Sequence, residues 1–403
     1  MVRASLQELN AATQVVHAGE RSMANGQGAP VSTPVYTTSV YSYETMEEFD
    51  RVFSGETPGH VYARFGNPTV AAFQEAMAIL EKGVGACGFA SGMAALHAAL
   101  FICELAPGQT VLASEDLYGA TTQLLYNVFG SFGVRIVTAD FNDTETLRTQ
   151  AEALRPRALI AETISNPLLK VCDIELCARI AHSVGAQLIV DNTFASPYLC
   201  QPLEHEADIV VHSATKYLGG HADALGGAVV VRDKANLPPL VGAMKTIGGV
   251  LSVWEAHEIL RGIKTLGVRM ERQCANARLL AETLNEHPQI ARVRYPGLND
   301  SGSEILTRRM LRATHAGALV TIELKENSRA AAFHFMNNLR LCVRSTSLGD
   351  VFTSVLHPAT ASHRELAPAR RAKLGIGDGL VRISVGIEDI GDITADIEQA
   401  LEK

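Results

Sequence analysis

The chain has 403 residues, enough for about two or three domains. Its 35 Lys and Arg against 43 Asp and Glu leave a net charge of −8, which argues against the basic footprint of a nucleic-acid-binding protein. Hydrophobic residues make up 47% and charged residues 19%, so the chain can build large cores and is not disordered.

No apolar run approaches the ~18 residues that span a bilayer, and residues 1–16 lack the apolar stretch of a secretory signal. No membrane association is expected. The seven Cys form no CxxC, and His and Cys do not fall at metal-ligand spacings. A disulfide framework and a metal site are therefore not expected, and the setting is read as cytoplasmic.

In chain order, residues 1–60 are rich in Gly, Pro, Ser and Thr and show little periodicity. They are predicted to form an extended arm lying on a neighbouring subunit, with a helix near 46–53. Val70, Phe73, Met77 and Leu80 share one helical face, predicting a helix over 69–82 that starts at Pro68 and stops at Gly83. Short apolar runs then alternate with amphipathic stretches: 110–113, 134–137, 158–162, 187–190, 208–212 and 227–231. That rhythm predicts an α/β fold with a mostly parallel sheet covered by helices on both faces. Residues 252–284 read as a long helical pattern without Pro, with Gly262 and Gly267 as points where it breaks or bends. Beyond about residue 290, strands at 316–324 and 380–385 and helices at 328–338 and 392–402 predict a smaller α+β domain.

Gly83, Gly85 and Gly88 fit G-x-G-x-x-G, but a helix is predicted before them where dinucleotide binding needs a strand. We read them as a helix stop followed by a strand. Phe89-Ala90-Ser91-Gly92-Met93 instead runs from a strand through a Ser-Gly turn into an Ala-rich helix. The free N–H groups at such a start can hold a phosphate, although the pattern also suits an ordinary N-cap. Asp191 follows the apolar run 188–190, so it sits at the carboxyl end of a strand, where ligands bind in such sheets. Lys216 follows a second run, in the hydroxyl- and Gly-rich segment His212-Ser213-Ala214-Thr215-Lys216-Tyr217. A carboxylate to hold a pyridine nitrogen protonated, a Lys to form a Schiff base and a helix start for a phosphate are what pyridoxal phosphate requires of a protein.

The segment 212–217 resembles the Schiff-base segment of the trans-sulfuration enzymes, the Cys/Met-metabolism family of fold-type-I pyridoxal-phosphate enzymes. Further segments are similar to that family in the same order: Tyr62-x-Arg64-x-x-Asn67-Pro68-Thr69, Ala90-Ser91-Gly92-Met93, Leu117-Tyr118-Gly119, Glu162-x-x-Ser165-Asn166-Pro167 and Asp191-Asn192-Thr193. Arg261-Gly262-x-Lys264-Thr265-Leu266, Ser347-Leu348-Gly349, His357-Pro358-Ala359 and Val381-Arg382-x-Ser384 complete the series. The resemblance covers nearly the whole chain. It implies an intersubunit arm over 1–60, a large cofactor-binding domain over 61–255 and a C-terminal domain over 256–403.

The resemblance also implies roles. Lys216 carries the cofactor and shuttles protons, Asp191 pairs with the pyridine nitrogen, and Tyr118 stacks on the ring and can act as a base. Ser91, Gly92, Met93, Ser213 and Thr215 hold the phosphate, with Tyr62 and Arg64 joining from a neighbouring subunit. Arg382 clamps the substrate α-carboxylate, while Asn166 and Ser347 orient substrate and cofactor. The implied unit is a homodimer with shared sites, paired into a homotetramer.

The implied chemistry is elimination or replacement at the γ-carbon of homoserine esters or sulfur amino acids. Ala120 stands where methionine γ-lyases carry Cys. Phe352 stands where many cystathionine enzymes carry Glu, and Phe cannot serve a distal ammonium. The leading expectation is a homoserine-ester sulfhydrylase or cystathionine γ-synthase type of enzyme, using a small thiol or sulfide. The alternatives are a γ-lyase acting on cystathionine, homocysteine or methionine, and a non-catalytic pyridoxal-phosphate-binding protein.

Overall fold

The computed structural model describes residues 6–20, 30–298, 301–312 and 315–403. Strands β1 (Gly85–Phe89), β2 (Thr110–Ser114), β3 (Arg135–Ala139), β4 (Ala158–Glu162), β5 (Gln187–Asp191), β6 (Ile209–Ser213) and β7 (Gly227–Val231) form one sheet. Their order is β1-β7-β6-β5-β4-β2-β3. Strands β2 to β6 are parallel, and β7 runs antiparallel to both its neighbours. The apolar runs are nearly continuous because both faces are buried. Leu112, Leu159, Leu188, Val210 and Val230 face one core, with helices Pro68–Leu80 and Ile174–Ser183. Val111, Ile160, Ile189, Ile209 and Val229 face the other, with helices Gly92–Phe101 and Leu237–Ile247. This is the layered α/β architecture expected from the rhythm of the chain.

A second sheet contains β8 (Ile290–Arg294), β9 (Leu319–Leu324), β10 (Val343–Arg344), β11 (Ser354–Leu356) and β12 (Leu380–Ser384), in the order β10-β11-β12-β9-β8. Its core includes residues of helices Arg329–Asn338 and Ile390–Leu401 and the end of Leu266–Asn285.

The helical stretch 252–284 breaks just after Gly262 into two helices, Val253–Ile263 and Leu266–Asn285. The carbonyl of Gly262 accepts from Thr265 N, at 3.1 Å, and from Arg269 Nη2, at 2.8 Å, which turns the chain between them. A Cβ on Gly262 would lie 2.1 Å from Gly219 O, so this turn packs directly on the loop carrying Lys216. One expectation needs correction: the N-terminal arm is not extended throughout. Ala11–His17 is helical, and buried Gln14 donates through Nε2 to the carbonyls of Leu6, Gln7 and Leu9. Val15 joins the first core, so part of the arm packs on its own chain. The rest of its expected path includes residues 21–29, which lie outside the described residues. Helix Met46–Phe53 forms as predicted, capped by Thr45.

Candidate active site

Glu162, Asp191 and Ser213 terminate the adjacent parallel strands β4, β5 and β6, and all three line a cavity of about 540 Å³. Its floor is the carboxyl edge of the large sheet. Its opposite wall comes from the C-terminal part of the chain, including Thr346, Leu348, Thr360, Ala361, Ser362, Arg364 and Arg382.

At one end, Ser91 caps helix Gly92–Phe101, its Oγ accepting from Ala94 N at 3.1 Å. The N–H groups of the first turn have no partner within the helix. A Cβ on Gly92 would lie 2.8 Å from the Ser213 Cβ, so only glycine lets the two segments meet. Thr215 Oγ1 donates to Gly226 O at 3.3 Å and accepts from Gly226 N at 3.1 Å, pinning the loop after β6. Ser91, Gly92, Met93, Ser213 and Thr215 all line this end. Hydroxyls, backbone donors and a helix start converge there, a cradle suited to a phosphate.

Asp191 Oδ1 accepts from Thr193 N at 3.0 Å, and the Thr193 hydroxyl accepts from Ser213 N at 2.8 Å. Burial raises the Asp191 pKa, opposed by the Thr193 hydrogen bonds and the His212 charge. Behind it, His212 Nε2 meets Glu81 Oε1 at 2.6 Å, and Asn192 Nδ2 donates to the same oxygen at 2.8 Å. Glu162, the register partner of Asp191, accepts from Tyr118 N at 2.6 Å and Asn166 N at 3.1 Å. Its carboxyl is pushed well above the usual range by burial, then by the Asp191 charge. Glu162 therefore fixes the backbone of two neighbouring site segments. Tyr118 remains 38% exposed, with its ring available at the cavity.

Lys216 Nζ donates to Ser347 Oγ at 3.3 Å. Burial lowers its pKa below the ordinary 10.5, the Arg382 charge lowers it further, and Asp350 opposes both. Arg382 is buried; Nη1 donates to Asn166 Oδ1 at 3.0 Å and Nη2 to Ser347 O at 3.2 Å. Its Nε has no hydrogen-bond partner, and burial takes its pKa down to about 10. A buried guanidinium with a spare donor is suited to an incoming carboxylate.

Thus Lys216, Tyr118, Asp191, Asn166, Arg382 and the phosphate-cradle residues meet at one cavity, and Ser347 reaches Lys216. Tyr62, Arg64 and Phe352 are not among the residues lining it. Tyr62 is 42% exposed; Arg64 donates to Lys245 O and lies over the Phe65 ring, 4.7 Å from its centre. The sequence motifs include Glu162 and Thr193 without giving either a role, and do not include Phe194 or Arg364. Glu162 carried the same signal as Asp191, an acid directly after an apolar run. Arg364 has no such signal, being exposed in a loop.

The residues present fit pyridoxal phosphate: a cradle of hydroxyls and backbone donors at a helix start, an acid on the cavity floor, an aromatic face and a lysine of lowered basicity. Fold and site together define a pyridoxal-phosphate enzyme of fold type I. The family model for Cys/Met metabolism PLP-dependent enzymes matches residues 12–402, and the chain belongs to that family.

Over 394 residues the chain is 41% identical to L-methionine gamma-lyase of Fusobacterium nucleatum, covering 97% of this chain and 98% of that protein. It is 39% identical to O-succinylhomoserine sulfhydrylase of Pseudomonas aeruginosa, covering 96% and 94% respectively. Cystathionine gamma synthase of Xanthomonas oryzae, solved with aminoacrylate and cysteine, superposes with a TM-score of 0.91 at 36% identity, over 98% of each chain. The chain is a pyridoxal-phosphate-dependent enzyme of sulfur amino-acid metabolism.

The lowered Lys216 pKa carries a pH prediction. The free amine is the attacking form, so cofactor uptake by apo-protein rises with pH and levels off below pH 10.5. Visible absorbance after mixing with pyridoxal phosphate at stepped pH measures it. A rate that keeps climbing through 10.5 contradicts the assignment.

Proposed function

We propose that the enzyme catalyses γ-replacement on an O-acylated homoserine, with a small thiol or sulfide as nucleophile. One observation carries this reading: among the described residues, the wall opposite the sheet lines the cavity with hydroxyls, apolar groups, Arg364 and Arg382, and with no carboxylate. The lining acids Glu162 and Asp191 lie at the strand ends. A bulky substituent ending in an ammonium would meet no counter-charge on that wall. An acyl group leaving as a carboxylate suits it. In the net reaction the Cγ–O bond breaks, a Cγ–S bond forms, and the thiol proton balances the released carboxylate.

Pyridoxal phosphate, when bound, supplies an electron sink that acidifies the substrate carbons. Lys216 holds the cofactor covalently, then its Nζ takes the Cα proton and moves protons along the substrate. Burial and the Arg382 charge, by lowering its pKa, favour the free amine that this work needs. Asp191 keeps the pyridine nitrogen protonated, Tyr118 covers the ring, and Arg382 with Asn166 orients the α-carboxylate. Ser347, hydrogen-bonded to Lys216 Nζ, positions the amine. Because Lys216, Tyr118 and Arg382 are all present, a non-catalytic role is disfavoured. We read the enzyme as cytoplasmic, in keeping with seven free, buried cysteines.

A second reading, γ-elimination from methionine or a related sulfur amino acid, is favoured by the 41% identity to a methionine gamma-lyase. A panel assay separates the two. O-acetyl- and O-succinylhomoserine with sulfide or cysteine are expected to outpace methionine, homocysteine or cystathionine alone by about tenfold or more in kcat/KM. Faster release of 2-oxo acid from the sulfur amino acids alone would replace the first reading with the second.

The site is proposed to be shared between two subunits of a homodimer, with dimers pairing into a tetramer. Supporting this, Tyr62 and Arg64 stand outside the lining of their own chain's cavity. Arg64→Ala and Lys216→Ala oligomers should each be nearly inactive. Refolded together, they form heterodimers with one doubly defective site and one intact site, and activity returns. Heterodimers without activity would assign Arg64 to its own chain.

A further inference from the structure

Five charged side chains line the cavity: Glu162, Asp191, Lys216, Arg364 and Arg382. Four have work in the site as read above, and Arg364 has none. Its backbone is anchored. Arg364 N donates to Ala361 O at 3.2 Å, and a Cβ on Gly119 would lie 2.3 Å from Ser362 O, so this segment packs directly beside Tyr118. Among the described residues the Arg364 guanidinium makes no ion pair. Arg364 also borders a neighbouring hollow lined by Arg329, Arg371 and Asp378. There the Asp378 carboxylate is already engaged by Arg371 Nη2 at 3.5 Å. Three guanidiniums and one carboxylate thus leave a positive field beside the cavity wall.

We propose that Arg364 is a specificity-determining residue that receives the distal carboxylate of a homoserine esterified by a dicarboxylic acid. The inference rests on the γ-replacement reading and names its substrate class: a half-ester rather than an acetate. A planar guanidinium free of other partners pairs with a carboxylate through two parallel hydrogen bonds. An acetyl group has no charge to offer it. Because Arg364 is solvent-exposed, the discrimination is modest, about fivefold to tenfold.

The test compares wild type, Arg364→Ala and Arg364→Lys holoenzymes on O-succinyl-, O-acetyl- and O-phosphohomoserine with sulfide. Retention of the bound cofactor's visible absorbance establishes that the variants fold. In Arg364→Ala the succinyl-to-acetyl ratio of kcat/KM is expected to fall about fivefold to tenfold, mainly through KM, with Arg364→Lys intermediate. A ratio unchanged within about twofold, while both esters turn over, overturns the proposal and leaves the γ-replacement reading intact. A loss confined to the phosphate ester overturns it in favour of phosphate recognition. Wild type that turns over no ester overturns the functional reading and this proposal with it.

Discussion

Lys216→Ala is expected to abolish covalent attachment of the cofactor and to lower turnover by at least about a thousandfold. Lys216 lines the cavity, it sits in the turn after β6, and burial with the Arg382 charge leaves its amine less basic than an ordinary lysine. The cradle of Ser91, Gly92, Met93, Ser213 and Thr215 is untouched by the substitution, so the cofactor should still bind, without the bond. Borohydride reduction and peptide mapping read the result. Wild type should yield one peptide modified at Lys216, and the variant none. A variant peptide reduced onto a different lysine would show that another residue carries the cofactor.

Arg382→Ala should have the next largest effect. Arg382 is buried in β12 and holds together Asn166 and Ser347, which sit on segments far apart in the chain. Losing a buried charged partner of a substrate carboxylate lowers kcat/KM by about a hundredfold to a thousandfold. The loss should appear mostly as KM, because the carboxylate is held in ground state and transition state alike. Asn166 Oδ1 and Ser347 O also lose a donor, at a stability cost of about 1–3 kcal/mol. Arg382→Lys should recover only part of the affinity, since an ammonium cannot form the two parallel bonds. Steady-state kinetics with an amino-acid substrate, alongside thermal unfolding, separate the two effects. A KM within about threefold of wild type in Arg382→Ala would remove Arg382 from substrate binding.

Much of the cavity's sheet side is legible in the sequence, because side chains at strand ends are placed by the fold itself. An acid or a lysine directly after a buried apolar run must sit at the carboxyl edge of a parallel sheet. Asp191 and the Ser213–Lys216 turn follow from that rule alone. Ser91 and Gly92 follow from a strand running into a capped helix. The strand runs themselves are visible because burial on both faces demands uninterrupted apolar residues. The same reasoning rejects the Gly83–Gly88 pattern, which opens β1 after a helix and starts no helix of its own.

Other features depend on contacts between distant segments, which local pattern does not carry. The sequence leaves a break or a bend open at Gly262, and its packing on Gly219 with its carbonyl given to Arg269 decides for a break between helices Val253–Ile263 and Leu266–Asn285. Helix Ala11–His17 hides within an irregular-looking arm, because Val15 holds it to the first core while Gln14 ties it to the turn before it. Strands β10 and β11, of two and three residues, are too short to show a period.

The cavity divides along the same line. Residue order alone determined which acid, which lysine and which hydroxyls stand at strand ends on its sheet side, since each is local to one strand or turn, while the strand order that makes those ends neighbours came with the fold. Its opposite wall was decided only by folding, which brings Arg382 against Asn166 across 216 residues of chain and sets Arg364 at the cavity. It also left Tyr62, Arg64 and Phe352 outside the lining. Which side chains face one another across a cleft is set by how two separately cored sheets pack together, and no periodicity within either sheet encodes that.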